Sequence, residues 1–275
     1  MSTQTITTSD GVNLCVETFG DPADPAIVLA HGASASMMWW EAELCQRLAD
    51  AGRYVVRYDQ RDTGQSTTYP VGEPGYAQTD LAQDVLAIMD HLGVDQAHLV
   101  GCSMAGGIVL LLGVDHADRF LTLTFMDTTT GDAELPSPTV EFPSRPDDLS
   151  TRDAQVAYVL DSIRAYDGVS PYYDDDAARA LVQADVDRST NLVAALTNPF
   201  LIEFSGPRHG GFADITQPTL VLHGELDPAL PLAHGEAIAR AVPGARLVVF
   251  EGQGHDLLPH HWDTFVDAVV EHTSR

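Results

Sequence analysis

The sequence contains no lysine in its 275 residues, so all 14 of its lysine-or-arginine positions are arginine. Against them stand 40 aspartate and glutamate residues, which give a formal net charge of −26 at pH 7. A surface this acidic repels the phosphates of nucleic acids and the headgroups of anionic lipids. We therefore expect neither a nucleic-acid partner nor a membrane partner.

Cysteines and long apolar runs are also scarce. Cys15, Cys45 and Cys102 are odd in number and far apart, which argues against a disulfide framework and fits a reducing compartment. No run of 18 apolar residues occurs, so we expect no transmembrane helix. The first residues lack a basic region followed by an apolar run, so we expect no signal peptide and a cytoplasmic location.

The sequence does contain an alternation of strand patterns and helix patterns. An Asp-Gly turn with alternating flanks predicts a β-hairpin over residues 5–19. Continuous apolar runs predict buried strands at 26–30, 54–58, 98–100, 121–126, 219–223 and 245–250. Apolar residues at helical spacing predict helices within 39–51, 79–92, 108–114, 232–241 and 262–271. This order is typical of an α/β fold, a mostly parallel sheet with helices on both faces.

The alternation stops between residues 131 and 213. Four prolines fall between positions 136 and 146, and helical patterns follow at 151–165, 174–184 and 189–203. We therefore divide the chain into a core formed by residues 1–130 and 214–275 and an inserted helical lid formed by residues 131–213.

One serine lies at the junction of a predicted strand and a predicted helix. The residues Gly101-Cys102-Ser103-Met104-Ala105 match the G-x-S-x-G nucleophile elbow, except that alanine replaces the last glycine. Such a tight turn lifts the serine hydroxyl off the edge of the sheet. The last position needs a small side chain because the helix packs closely on the strand, and alanine meets that need. Ser103 is therefore the candidate nucleophile.

A serine hydroxyl needs a base to take its proton, and the base needs a third group to orient it. In open α/β sheets functional residues collect at the carboxyl ends of strands. Asp227 and His255 follow the last two predicted strands, in the order that the acid and the histidine take after an elbow serine. They are the candidate acid and base. Asp127, at the end of the strand before the predicted lid, is the alternative acid.

The negative charge that forms on an ester oxygen needs backbone N–H donors. Met104 follows the serine at the start of a helix, where the helix dipole also favours negative charge. Ala33 follows a predicted strand end and His31-Gly32. These two residues are the candidate oxyanion donors, and we expect His31 to support their loop.

Several of these stretches together resemble the α/β-hydrolase superfamily, over essentially the whole chain. They are Leu29-Ala30-His31-Gly32, Gly101 to Gly106, His223-Gly224 with Asp227, and Gly254-His255. The stretches 19–26, 58–68 and 100–104 are similar to the aclacinomycin methylesterase group, which removes methyl groups from carboxymethyl esters of anthracycline polyketides. Hydrolases that open macrolide lactones share the general pattern.

The resemblance implies an α/β-hydrolase fold with an eight-stranded sheet and a helical lid. It also implies that Ser103 is the nucleophile, His255 the base and Asp227 the acid, with Ala33 and Met104 as oxyanion donors. The expected activity is carboxylic-ester hydrolysis through an acyl-enzyme, on a polyketide-like methyl ester or macrolide lactone. A neutral His255 is needed, so we expect kcat/KM to fall below about pH 6–7.

We expect no cofactor, because a serine triad needs none, and no metal, because His255, His260 and His261 match no common zinc spacing. The same triad also serves cofactor-free perhydrolases (haloperoxidases) and carbon–carbon bond hydrolases. A non-catalytic ligand-binding protein is a further alternative on this fold. The sequence leaves open the substrate, the oligomeric state and which lid residues line the pocket.

Overall fold

The computed structural model describes residues 2–274. Its centre is an eight-stranded sheet with the strand order β1-β2-β4-β3-β5-β6-β7-β8. Only the pairs β1–β2 and β2–β4 are antiparallel. The predicted mostly parallel α/β sheet of eight strands is confirmed. The strands are β1 (Ser2–Thr7), β2 (Asn13–Phe19), β3 (Ala26–Ala30), β4 (Tyr54–Tyr58), β5 (Ala97–Cys102), β6 (Phe120–Met126), β7 (Thr219–Gly224) and β8 (Arg246–Phe250).

Helices cover both faces of this sheet. They are α1 (Ala42–Asp50), α2 (Gln78–His91), α3 (Ala105–Asp115), α4 (Arg152–Asp167), α5 (Asp175–Arg188), α6 (Leu192–Ala195), α7 (Ala233–Ala241) and α8 (Trp262–His272). Neighbouring residues of β3 face opposite sides, since successive side chains of a strand alternate. Val28 belongs to the core cluster on the side of α2, α3 and α7, whereas Ile27 belongs to the cluster on the side of α1 and α8. None of the helices described in residues 2–274 is both long and apolar enough to cross a membrane.

Residues 127–218 lie between β6 and β7, and we name them the interstrand segment. In it α4 and α5 pack together through apolar residues that include Val159 and Val182. The single helix predicted over 189–203 is wrong. The structure has the one-turn α6 and then a 3₁₀ turn at Asn198–Phe200. Pro199 causes the break, because proline lacks an N–H donor and disfavours helical backbone at the residue before it. The division into core and lid stays a prediction.

Candidate active site

Ser103 follows the last residue of β5 in a strained turn. Its φ is +52°, in the left-handed region that non-glycine residues seldom adopt. The Ser103 N–H donates to the Met126 carbonyl oxygen at 2.9 Å, and the Thr128 hydroxyl donates to the Ser103 carbonyl oxygen at 2.6 Å. These contacts with Met126 of β6 and with Thr128 hold the turn, and α3 begins two residues after the serine, at Ala105.

Two glycines leave room for this turn. A Cβ atom on Gly101 would lie 2.4 Å from a Val109 methyl group and 2.6 Å from the Ala105 carbonyl oxygen. A Cβ atom on Gly32 would lie 2.8 Å from the Ser103 Cβ atom. The loop after β3 and the start of α3 therefore approach the serine closely. Ala105 is fully buried, and its methyl group is accommodated where the motif usually has glycine.

Three predicted residues are joined by hydrogen bonds at the carboxyl edge of the sheet. The His255 Nε2 atom lies 3.1 Å from the Ser103 Oγ atom, and its Nδ1 atom lies 2.7 Å from the Asp227 Oδ2 atom. The other oxygen of Asp227 accepts the N–H groups of Ala229 and Leu230 at 2.8 and 2.9 Å. These bonds fix the carboxylate, which in turn orients the imidazole toward the serine.

His255 lies in a buried and strongly acidic environment. Its ring stacks on Tyr166 with the centroids 5.0 Å apart. Burial alone would lower the pKa of His255, but the charge and hydrogen bond of Asp227, with the charges of Asp256 and Asp127, raise it to about 10. The imidazole is therefore a stronger base than a free histidine.

Asp127, the alternative acid, lies at the end of β6 with a φ of +43°. Its Oδ1 atom accepts the N–H of Gly224 at 2.7 Å, and its Oδ2 atom has no hydrogen-bond partner within residues 2–274. Burial and the neighbouring charge of Asp227 raise the Asp127 pKa well above its usual range. Asp227, and not Asp127, is the carboxylate that contacts the His255 ring.

The predicted oxyanion donors lie beside the serine. Neither Ala33 nor Met104 donates its backbone N–H to another group described in the structure. The Gln60 amide donates to the His31 carbonyl oxygen at 2.5 Å and so supports the Ala33 loop. Burial, with the charge of His255, lowers the pKa of His31 to about 3, so this ring is neutral. An oxyanion hole needs N–H donors beside the nucleophile that no other group of the protein uses.

A cavity of about 370 Å³ opens at Ser103 and His255. Asp185 and Asp256 are the acidic side chains that line it, and no arginine among the described residues does so. Asp185 accepts hydrogen bonds from Ser36 and Trp39 at 2.5 and 3.0 Å. We name this space the aromatic cavity for its aromatic lining residues, Trp39, Phe142, Tyr158, Tyr166 and Phe200.

Side chains that could hold a metal ion occur behind the triad. Asp127, His223 and Asp227 have potential ligand atoms within 4.8 Å of one another. However, both oxygens of Asp227 are already hydrogen-bonded, and His223 Nε2 lies 2.7 Å from the Leu230 carbonyl oxygen. A metal ion there would compete with His255 for its orienting carboxylate. The arrangement therefore fits proton transfer better than metal binding.

Several residues near the site carry no motif in the sequence. Asp167 is fully buried and accepts the Asp256 N–H at 3.0 Å, directly behind His255. Burial and the charge of Asp256 raise the pKa of Asp167 well above its usual range. Asp256 could have been noticed as the neighbour of His255 in the chain, whereas nothing in the sequence around Asp167 indicated a role. His260, which follows His255 in the chain, stacks its ring on that of Tyr172 with the centroids 3.6 Å apart.

Comparison with known proteins agrees with the fold described above. Residues 25–261 match the family described as alpha/beta hydrolase fold. The chain is 32% identical to rhodomycin D methylesterase DauP of Streptomyces sp. strain C5, over 97% of this chain and 96% of the relative. It is 30% identical to rhodomycin D methylesterase DnrP of Streptomyces peucetius, with the same coverage. The enol-lactonase structure from Burkholderia xenovorans LB400 superposes with a TM-score of 0.77 at 23% identity, covering 99% of this chain and 100% of that one.

Proposed function

The chain belongs to the alpha/beta hydrolase fold family and is a carboxylic-ester hydrolase, and we propose that Ser103, His255 and Asp227 form its catalytic triad. The observation that carries this proposal is the hydrogen-bonded chain from Asp227 through His255 to the Ser103 hydroxyl. In the first step His255 Nε2 takes the Ser103 proton while Oγ attacks the ester carbonyl carbon. Asp227 stabilises the imidazolium that forms.

The tetrahedral intermediate carries a negative oxygen, which we assign to the free N–H groups of Ala33 and Met104. His255 then gives its proton to the leaving alcohol, and the acyl group remains on Ser103. A water molecule loses a proton to His255 and attacks the acyl-enzyme. The acid is released, and the proton returns to the serine. The reaction consumes one water and needs no cofactor.

The substrate class follows from the aromatic cavity together with the relatives. Its aromatic walls favour a planar, apolar acid. Asp185 and Asp256 disfavour a substrate with a free carboxylate beside the scissile bond, because no arginine there would neutralise it. Since the two similar relatives are rhodomycin D methylesterases, we propose a methyl ester of a polycyclic, polyketide-like acid as the substrate. The same charges repel the carboxylate product and favour its release.

We propose that residues 131–213 act as the lid of this site. Phe142, Tyr158 and Tyr166 belong to that stretch and line the aromatic cavity, while Ser103 and His255 come from the sheet side. The lid therefore determines which acid fits, and the core supplies the chemistry. Arg188 attaches this stretch to the core through two hydrogen bonds to Asp59, at 2.6 and 2.9 Å.

Mass spectrometry of a small substrate panel tests the reaction. The enzyme is incubated with anthracycline methyl esters, macrolides and simple acyl esters, and the masses of the products are measured. Loss of one methylene mass indicates demethylation of a methyl ester, which is the expected result. A gain of one water without loss of a fragment would instead indicate lactone opening and overturn the proposed substrate class. Peroxide-dependent halogenation without ester hydrolysis would favour a perhydrolase.

A further inference from the structure

The last turn of α4 lies against the loop that carries His255. The Tyr166 carbonyl oxygen accepts the His255 N–H at 3.3 Å, and the Asp167 Oδ1 atom accepts the Asp256 N–H at 3.0 Å. The carbonyl groups of a last helical turn have no partner within their own helix, so Tyr166 can bond outside it. Two consecutive N–H groups of the loop are therefore held by one helix end, and α4 belongs to the interstrand segment.

The start of the same loop is held from the sheet. The Gly252 N–H donates to the Glu225 carboxylate at 2.9 Å, and the Gln253 carbonyl oxygen accepts the Leu226 N–H at 2.8 Å. Glu225 and Leu226 directly follow β7. The loop between β8 and the end of its turn thus has two anchors, and the anchor at His255 itself is α4.

Gly254 allows α4 to come this close. A Cβ atom on Gly254 would lie 2.6 Å from the Tyr166 carbonyl oxygen and 2.4 Å from the Asp167 Oδ1 atom. A side chain there would push the helix end away from the loop. The Tyr166 ring also stacks on the His255 imidazole, so the helix end contacts both the backbone and the ring of the base.

The Asp167 side chain has a second bond to the loop. It is fully buried, and burial, the charge of Asp256 and a hydrogen bond to the Asp256 side chain raise the pKa of Asp167 well above its usual range. Two carboxyl groups bond to each other only when one of them is protonated, and Asp167 is the one that holds the proton. The neutral carboxyl therefore accepts the Asp256 N–H and donates to the Asp256 side chain.

This inference rests on the proposed triad. We propose that Asp167 is a positioning residue for the reaction, which fixes the loop around His255 from α4 and so keeps the imidazole Nε2 atom at the Ser103 hydroxyl. The interstrand segment then contributes to proton transfer as well as to the wall of the aromatic cavity. A displacement of about 1 Å can cost about 10²-fold in rate, so the effect on turnover should be large.

Asp167→Leu and Asp167→Asn test this role in steady-state kinetics on methyl phenylacetate. Leucine has a similar size but neither accepts nor donates, so kcat should be about 30-fold lower while KM changes less than about threefold. Asparagine can still accept the Asp256 N–H and can donate its amide hydrogen to the Asp256 carboxylate. Asp167→Asn should therefore keep nearly the wild-type kcat.

Proton NMR reports the position of the imidazole directly. The His255 Nδ1–H, which donates to Asp227 at 2.7 Å, should give a low-field resonance in the wild-type spectrum. Asp167→Leu should shift or broaden this resonance, because the ring is no longer held in one place. Asp167→Asn should leave it unchanged.

Val156→Ala is the matched control for a general weakening of α4. Val156 is buried in the same apolar cluster as Val182 of α5, and it does not line the aromatic cavity. This variant should unfold at a lower temperature than wild type but keep both kcat and the low-field resonance. Gly254→Ala disturbs the proposed contact from the loop side, so it tests the role even if Asp167→Leu does not fold, and it should lower kcat to a similar extent.

A wild-type kcat in Asp167→Leu or in Gly254→Ala would overturn the positioning role. An equal loss of kcat in Val156→Ala would do the same, as would a loss in Asp167→Asn as large as that in Asp167→Leu. Failure of the triad proposal is a different result, because the protein would then hydrolyse the ester without dependence on Ser103.

Discussion

Asp127 follows β6, and Asp227 lies in the loop after the neighbouring strand β7. Both residues are buried, but of the two only Asp227 contacts the His255 ring, with 2.7 Å between its Oδ2 atom and the His255 Nδ1 atom. Asp127 instead accepts the Gly224 N–H at 2.7 Å and so links the end of β6 to the end of β7. The Asp227 carboxylate orients the His255 ring, whereas Asp127 holds the end of β7, where the loop that carries Asp227 begins.

We expect Asp227→Asn to lower kcat by about 10⁴, because an amide favours the wrong imidazole tautomer. Asp127→Asn should lower kcat less than about tenfold, since the asparagine oxygen can still accept the Gly224 N–H. Steady-state kinetics on one methyl ester compares the two variants. A loss in Asp127→Asn as large as that in Asp227→Asn would contradict the assignment of the acid.

Removal of the nucleophile should have the largest effect. Ser103→Ala should lower kcat by about 10⁶, the scale found when a triad nucleophile is lost. The matched control is Ser162→Ala, because Ser162 also lines the aromatic cavity but its hydroxyl donates to the Tyr158 carbonyl oxygen. That control should retain activity and react with a fluorophosphonate, whereas Ser103→Ala should do neither. Near-normal hydrolysis by Ser103→Ala would end the triad proposal.

The activity should depend on pH through His255, and the structure revises the pH range expected from the sequence. The base works only when neutral, so kcat/KM increases as pH rises through its pKa. Because the surrounding carboxyl groups raise that pKa, the midpoint should lie above 6.5 and not within the ordinary range of histidine. Asp256→Asn removes one of those charges and should move the midpoint to lower pH. A pH–rate profile that is flat from pH 5 to 8 would contradict this.

The buried carboxyl of Asp167 should make folding stability depend on pH. Its pKa is raised in the folded state by burial and by Asp256, so the folded protein holds this proton more tightly than the unfolded chain does. The resulting contribution is complete below the unfolded pKa and is lost as pH rises through the folded pKa. The stability of Asp167→Asn relative to wild type should therefore be greater at pH 8 than at pH 5. Urea unfolding at pH 5 and at pH 8 measures the stability difference between Asp167→Asn and wild type. An equal difference at the two pH values would contradict this prediction.

The contact between Arg188 and Asp59 should contribute strongly to stability. The Asp59 side chain is fully buried and that of Arg188 is 16% exposed, so removing the arginine leaves an unpaired buried carboxylate. We expect Arg188→Met to lower the free energy of unfolding by about 3 kcal/mol. The control is Arg152→Met, which breaks the exposed pair with Asp187 and should change stability far less, because solvent screens that pair. Similar effects of the two variants in urea unfolding would argue against the anchoring role of Arg188.

The sequence predicted those features that depend on local pattern. Most strands of the sheet are continuous apolar runs, so their positions were predictable. Ser103 was predictable as well, because the tight turn requires small residues beside the serine and the motif contains them. The joining of Asp227 and His255 to Ser103 followed from chain order at strand ends. The prediction of a single helix over 189–203 was wrong. The helical spacing of apolar residues continues through Pro199, but a helix cannot continue through this proline.

Other site features depend on contacts between distant segments. Asp167 lies behind His255 because the interstrand segment crosses the sheet edge. Its neighbours in sequence do not indicate this position. The acidic environment that raises the His255 pKa arises partly in the same way, because Asp227 and Asp127 lie on other loops, whereas Asp256 is the chain neighbour of His255.

The amino-acid composition and the burial of the thiols together determine which side chains can react with an electrophile. The chain has no lysine, and Cys15, Cys45 and Cys102 are all buried and free. Burial also raises the pKa of Cys45 to about 12 and that of Cys102 well above its usual value, so these thiols remain protonated. An electrophilic substrate or product would therefore meet no lysine amine and no thiolate of Cys45 or Cys102 to alkylate, so these common sites of covalent inactivation are absent while the Ser103 hydroxyl stays reactive.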